Sequence, residues 1–521
     1  MTTSQATDVR PWPALWSLVI GFFMILVDST IVSIATPVLM RSLNAGVSAV
    51  VWVTSAYLLA YAVPLLITGR LGDRFGPKRV YLVGLTVFTL ASAACGLSHT
   101  IEMLIVARAV QGLGASMMTP QTMAVITRIF APDKRGPAMG LWGAVAGVAS
   151  LVGPVLGGLL IDTLGWEWIF FVNLPVGVFG FIMVVRNVPS LERHPHRFDL
   201  LGVALNVVGM FLIVFGIQEG QRYAWGTITG PISVWSLIIA GVVVLVFFAI
   251  FQSRAAEPLV PPALFRDRNF SVANVAILVM GFLVTSMVFP MTLFAQTARG
   301  LTPTQAALLS LPLAVITGAM APIVGKLIDR GDPKWFAVTG FSLMVVSLVG
   351  YAWLMRPGIS ILWLLIPSGI LGAANACIWG PLSVSATRNL PLHQAGAGSG
   401  VYNTTRQMGA VLGSAAIAAF MESQLSAQLG PAGAGAGMAS MGTRIPAPLE
   451  QGFSAAMSMS LLLPAAVSVV GIIAVLMFVP PRPRTPARTN PSAQPHPRAE
   501  PSRGAEPTRD AEPIEKGTLE P

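Results

Sequence analysis

From Pro13 to Val38 the chain carries one charged side chain, Asp28. Apolar runs of this kind recur along the whole sequence. Fourteen of them have roughly the 17–25 residues that a helix needs to cross a hydrocarbon core. Inside lipid the backbone must satisfy its own hydrogen bonds, so each run is restricted to a helix. The expected fold class is therefore an all-α polytopic membrane protein. Composition agrees. Hydrophobic residues make up 54% of the 521 residues and charged residues 10%, where a soluble domain carries about 25%.

The first run exceeds the roughly 7–15 apolar residues of a signal peptide, so it reads as a span that is kept. The net charge of +10 would suit nucleic acid, but its distribution does not. Basic residues collect in alternate connections, as the positive-inside rule requires. One side holds Arg70, Arg74, Lys78 and Arg79, then Arg128, Lys134 and Arg135, then Arg186, Arg193 and Arg197, then Arg254, Arg266 and Arg268, then Lys326, Arg330 and Lys334. The other side holds only Arg41, Arg222, Arg299, Arg356 and Arg444. The rule places the first side, and both termini, in the cytoplasm. Cys95 and Cys377 fall inside separate spans and read as packing residues rather than a disulfide or metal site.

A weak repeat divides the chain. GRLGDRFGPKR (Gly69 to Arg79) follows the second span and GKLIDRGDPK (Gly325 to Lys334) follows the tenth. The expected organisation is a six-helix half over 1–198, two inserted helices over 199–253 and a second six-helix half over 254–480. Paired repeats of this type place a transport site between the halves. The stretch Glu422–Phe453, rich in Gly, Ala and Pro, reads as an outer loop. Residues 481–521, rich in Pro, Arg and Glu, read as a disordered cytoplasmic tail.

Asp28 lies near the middle of the first span, where a charge costs about 2.5–3.5 kcal/mol on insertion scales. Burial raises a carboxyl pKa, so a lone Asp there holds a proton until water or a cation arrives. Two readings stand. Asp28 is a proton carrier, or it is bonded to groups such as Ser29 and Thr30 with no transport role. Asp73, Glu102, Glu167 and Asp199 all fall at loops or span ends, so no other acid is expected so deep. Arg108, in the fourth span, sits at a depth that allows contact with Asp28, and Gln111 can join them. Arg406, in the thirteenth span, has no evident acidic partner. It is either a substrate-facing cation or one satisfied by backbone carbonyls and Gln407. Two deep arginines against one Asp argue against multiply charged cations as cargo.

The fifth span carries Gly140, Gly143, Gly147, Gly153, Gly157 and Gly158, with Pro154 among them. Small residues allow close helix approach and proline removes a helix hydrogen bond. The pattern suits a moving interface, or simply tight packing. Gly69–Arg79 reads as a tight turn whose Asp73 can accept from N–H groups at a helix start near Ala397 to Gly400. HExxH, P-loop and GxSxG patterns are absent, so hydrolytic and ATP-driven chemistry is not expected.

These motifs together resemble the major facilitator superfamily, and most closely its fourteen-helix drug:proton antiporters of the EmrB/QacA type. Gly69, Gly72, Asp73, Arg74, Gly76, Lys78 and Arg79 resemble the signature of the loop after the second helix. Arg108, Gln111, Gly112 and Gly114 resemble the fourth-helix signature, whose Arg is linked to proton movement. Gly147, Gly153, Pro154, Gly157 and Gly158 resemble the fifth-helix antiporter motif, which separates exporters from symporters. Asp28, Thr30, Ala35 and Pro37 resemble the first-helix motif, with Ser33, Ile34 and Thr36 departing from it. GWEWIFFVNLPVG (Gly165 to Gly177) is similar to the same branch.

The resemblance implies a monomeric, non-enzymatic multidrug efflux transporter of the inner membrane, conferring antibiotic resistance. It would use the proton gradient, with no cofactor or metal, and export small amphipathic substrates. The same fold exporting an endogenous metabolite, or serving as a non-transporting receptor, are the rival readings.

Overall fold

The computed structural model describes residues 10–45, 47–131, 134–191, 199–220, 223–255, 258–328, 331–390, 394–439 and 445–479. The expected tail lies outside them, as do Arg193, Arg197, Arg222, Asp329, Arg330 and Arg444. The side chains of Ser33, Ile34, Thr36, Pro37 and Arg41 also lie outside the described ones.

The chain opens with α1 (Pro11–Ser42), then α2 (Val47–Ala62) and α3 (Leu65–Phe75). The second expected span is bent by 45° between α2 and α3. The break falls at Val63 and Pro64, where proline removes a helix hydrogen bond. Next come α4 (Pro77–Gly96), α5 (Ile101–Ile129) and α6 (Arg135–Thr163). Thr100 caps α5 by accepting from the Met103 N–H at 3.3 Å. A short α7 (Trp168–Phe171) leads into α8 (Asn173–Asn187).

The pair α9 (Leu200–Glu219) and α10 (Val234–Gln252) is joined by a hairpin. Its strands β1 (Thr227–Thr229) and β2 (Ile232–Ser233) pair antiparallel, with Thr229 opposite Ile232. The pair reaches the rest of the bundle through Met210 and Val214, which pack with Leu59 and Val63 of the α2 end. Val242, Val243, Val246 and Phe247 on α10 are exposed, as a lipid-facing surface requires.

The second half of the chain holds α11 (Arg268–Leu293), α12 (Pro303–Leu308), α13 (Leu311–Ile328) and α14 (Pro333–Leu354). It closes with α15 (Leu365–Thr387), α16 (Ala395–Ala439), α17 (Ala447–Ser460) and α18 (Leu462–Leu476). Among the described residues twelve helices or helix pairs are long and apolar enough to cross a membrane, or thirteen with the bent pair as one span. The remaining expected span, 138–161, falls on α6, where many side chains lie outside the described ones.

Two expectations need correction. The Gly69–Arg79 stretch is mostly helix: α3 runs to Phe75, and only Gly76, at φ 92°, makes the turn into α4. That positive φ suits glycine alone among common residues. The described part of 422–453 is also mostly helix rather than loop. Helix continues to Ala439, broken at Gly430 (φ 70°, ψ 168°), and resumes at Ala447. Its alanines favour helix, which outweighs the glycines except at Gly430.

Helices α1 to α8 pack among themselves, and so do α11 to α18. The two groups meet where α6 lies against α13 and α15, and where α3 and α5 lie against α16. The largest apolar cluster crosses this boundary, joining Phe22, Trp142, Met280, Trp379 and Tyr402.

Candidate functional site

Asp28 and Arg108 are both fully buried, and Arg108 Nη1 lies 2.5 Å from Asp28 Oδ2. The same nitrogen donates to Gln111 Oε1 at 2.7 Å. Gln111 Nε2 in turn donates to Asp28 Oδ1 at 3.0 Å. Arg108 and Gln111 share a face of α5 because three residues bring side chains together on a helix. The Arg108 Nε donates to the Val53 carbonyl at 3.3 Å, and its guanidinium carbon stands 4.1 Å from the centre of the Tyr57 ring. The ion pair is thus held from α1, α2 and α5 at once. A buried pair needs such additional bonds to offset its desolvation.

Sequence reasoning missed a further partner. Asn173, at the start of α8, donates from Nδ2 to Asp28 Oδ1 and to Ser92 Oγ, both at 3.0 Å. The signal was present: an amide inside the apolar stretch Gly165–Gly177. Cys95 packs as expected, in an apolar cluster with Leu104 and Phe170, and its thiol also donates to Gln111 Oε1 at 3.7 Å. Cys377 packs with Ala321 and Val324. Ser29 and Thr30 donate to backbone carbonyls of their own helix.

A second charged site lies at the Gly76 end of the bundle. Asp73 lies in the last turn of α3, a span end as expected, and is as buried in the protein as Asp28, at 0% exposure. Helix α3 carries it inward, and it accepts from the N–H groups of Gly396 at 3.1 Å and Ala397 at 3.0 Å. These are orphan donors at the start of α16, where the helix dipole favours an anion. Arg128 Nη2, read from sequence as a loop charge, adds an ion pair at 2.6 Å. Gly69 makes the approach possible, because a Cβ there would stand 2.5 Å from the Gly396 carbonyl oxygen. Gly72 leaves room for the Gln121 side chain. Lys78 donates to the Val185 carbonyl at 2.8 Å. Arg74 lies in the last turn of α3 and Arg79 is exposed on α4.

Nearby, Arg135 ties helix ends together. It donates to the carbonyls of Thr127 at 2.6 Å and Phe130 at 3.2 Å, and across to Thr387 of α15 at 3.3 Å. Ser399 donates to the Pro120 carbonyl at 2.8 Å. Several bonds between the two helix groups therefore cluster at this end.

The α6 glycines line contacts in two directions. Gly153 faces Thr30 and Gly157 faces Ile31 on α1, while Gly140 faces the Ala321 carbonyl on α13. Gly158 is looser, with Thr304 Oγ1 at 3.6 Å from an added Cβ. Gly147 and Pro154 lie on α6, but their surroundings fall outside the described ones. Arg406 is apart from the Asp28 cluster. Its Nη2 donates to the Tyr61 hydroxyl at 3.3 Å, and that hydroxyl meets Thr119 Oγ1 at 3.0 Å.

Residues 18–414 match the family described as Major Facilitator Superfamily. The chain belongs to the Major Facilitator Superfamily. It is a transporter and an integral membrane protein, not an enzyme. This superfamily member is 52% identical over 479 residues to an uncharacterised MFS-type transporter of Mycobacterium tuberculosis, covering 90% of this chain and 81% of that one. It is 30% identical over 399 residues to the multidrug export protein EmrB of Escherichia coli K12, covering 76% and 77%. That match agrees with the EmrB/QacA resemblance of the motifs. Its fold is similar to that of the proton:xylose symporter XylE, with a TM-score of 0.62 at 12% identity, covering 90% and 96%.

Proposed function

We propose that this transporter exports amphipathic, lipophilic drugs across the inner membrane by proton-coupled antiport. The observation that carries the reading is the sealed cluster of Asp28, Arg108, Gln111 and Asn173. The Asp28 carboxylate is met there by donors from two helices, α5 and α8. Protonation of Asp28 removes the anion that these donors face. Arg108 then keeps Gln111 Oε1, the Val53 carbonyl and the Tyr57 ring, while its hold on α1 weakens. Loss of the proton restores the pair. One proton therefore changes how α1 sits against α5.

Helix α6, packed on α1 through Gly153 and Gly157 and on α13 through Gly140, carries that change to the second half. The halves 1–198 and 254–480 would rock about a central cavity, with residues 199–253 as an inserted pair. Asp73 on the α16 start, with Arg74, Lys78 and Arg79 around the turn, latches the cytoplasmic side. The two termini are cytoplasmic, the working unit is a monomer, and the proton gradient is the energy source. The multidrug name of EmrB supports drugs as cargo.

The test is growth of cells expressing the wild type or Asp28→Asn at matched membrane levels, over a panel of lipophilic dyes and antibiotics. Resistance is expected from the wild type alone. Equal resistance in both strains would remove Asp28 from the coupling.

A further inference from the structure

We infer that the junction of α1, α6, α15 and α16 binds flat aromatic compounds that carry an anionic or strongly polarised oxygen. This names the cargo of the export reading above and rests on it only for the direction of transport. Two buried donors there have no acceptor among the described residues: the indole N–H of Trp142 and the Nε of Arg406. Trp142 is 1% exposed, and a buried indole N–H ordinarily finds a partner. The neighbouring Trp379 does, donating to Asn375 Oδ1 at 3.1 Å. Leaving such a donor unmet is unfavourable, and an incoming acceptor would remove that penalty.

Packed side chains connect the two donors. Phe22 stacks on Trp142 at 4.7 Å with rings 17° from parallel, and Trp379 meets Trp142 edge-on at 6.3 Å. One turn along α15 from Trp379, the Ser383 hydroxyl lies 3.3 Å from that of Tyr402. One turn along α16 from Tyr402 is Arg406. Aromatic faces thus lead from α1 to a guanidinium on α16.

The charges select the ligand. Asp28 is committed to Arg108, Gln111 and Asn173, and Asp73 is held at the start of α16. Among the described residues no carboxylate pairs with Arg406. A surface with free donors, aromatic faces and an uncompensated cation favours an acceptor and disfavours a lipophilic cation.

Fluorescein and rhodamine 123 share a xanthene body and differ in charge. Their binding to purified full-length protein in detergent can be followed by fluorescence anisotropy. Fluorescein should bind about tenfold more tightly, and Arg406→Gln should abolish that preference while leaving rhodamine 123 within about twofold. Arg406→Lys, which keeps the charge, should retain most of the preference. Trp142→Phe should weaken fluorescein severalfold. Asp28→Asn should leave the preference in place.

Wild-type protein that binds rhodamine 123 as well as fluorescein, or binds neither dye, would overturn the inference without relying on any variant. So would a folded Arg406→Gln protein with the preference intact. Equilibrium binding needs no proton gradient, so this failure leaves the antiport reading standing. Loss of coupled flux in Asp28→Asn would equally leave this one.

Discussion

Arg108→Ala strands Asp28 as a buried charge without its cation. Breaking a buried pair from one side costs about 3–5 kcal/mol. The double variant Asp28→Asn/Arg108→Ala should be more stable than Arg108→Ala alone, as read by thermal unfolding in detergent. Equal stability would mean that the pair is not the constraint that the geometry makes it. Asn173→Ala removes one charge-assisted bond, about 1.5–3 kcal/mol. Its drug flux should fall roughly tenfold and its pH profile should move, whereas a purely structural residue would lower flux with the profile unchanged. At this scale Asp28, Arg108 and Gln111 were legible, since charge in lipid is rare and demands a partner. Asn173 and Tyr57 were not, because an amide or a phenol in an apolar run costs too little to stand out.

At the scale of the helix, the fifth expected span is the informative one. A Cβ at Gly153 would overlap the Thr30 hydroxyl, and the neighbour must give way. Gly153→Ala should cut transport at normal expression, and Thr30→Ala in the same chain should restore part of it. Absence of rescue would show that the α1–α6 contact is not what the glycine serves. Asp73→Ala frees the first N–H groups of α16. A cysteine placed at Ser399 should then react faster with a membrane-impermeant maleimide applied from the cytoplasmic side, and an unchanged rate would contradict the latch. The glycine spacing and the Asp73 contact near Ala397 were readable from sequence. Helix in 422–439 and through Phe75 was not, because glycine-rich composition reads as loop until packing decides otherwise. The bend at Pro64 was equally hidden inside one continuous apolar run.

At the scale of the whole molecule, lipid left few alternatives. Apolar runs of spanning length and alternating basic connections pointed to a polytopic helical bundle, and the motifs narrowed it to this superfamily. Two of the long-range arginine contacts could not be read that way. Arg128 on Asp73 and Arg135 on the Thr387 carbonyl join residues distant in sequence, and each looked like an ordinary loop charge. The central claim is that protonation of Asp28 couples the proton gradient to export of the cargo. Inside-out vesicles energised to an acid interior test it most directly, with wild type beside Asp28→Asn. Adding a transported compound should dissipate the pH gradient in wild-type vesicles and leave it intact in the variant. Equal dissipation in both, at matched protein levels, would contradict the account.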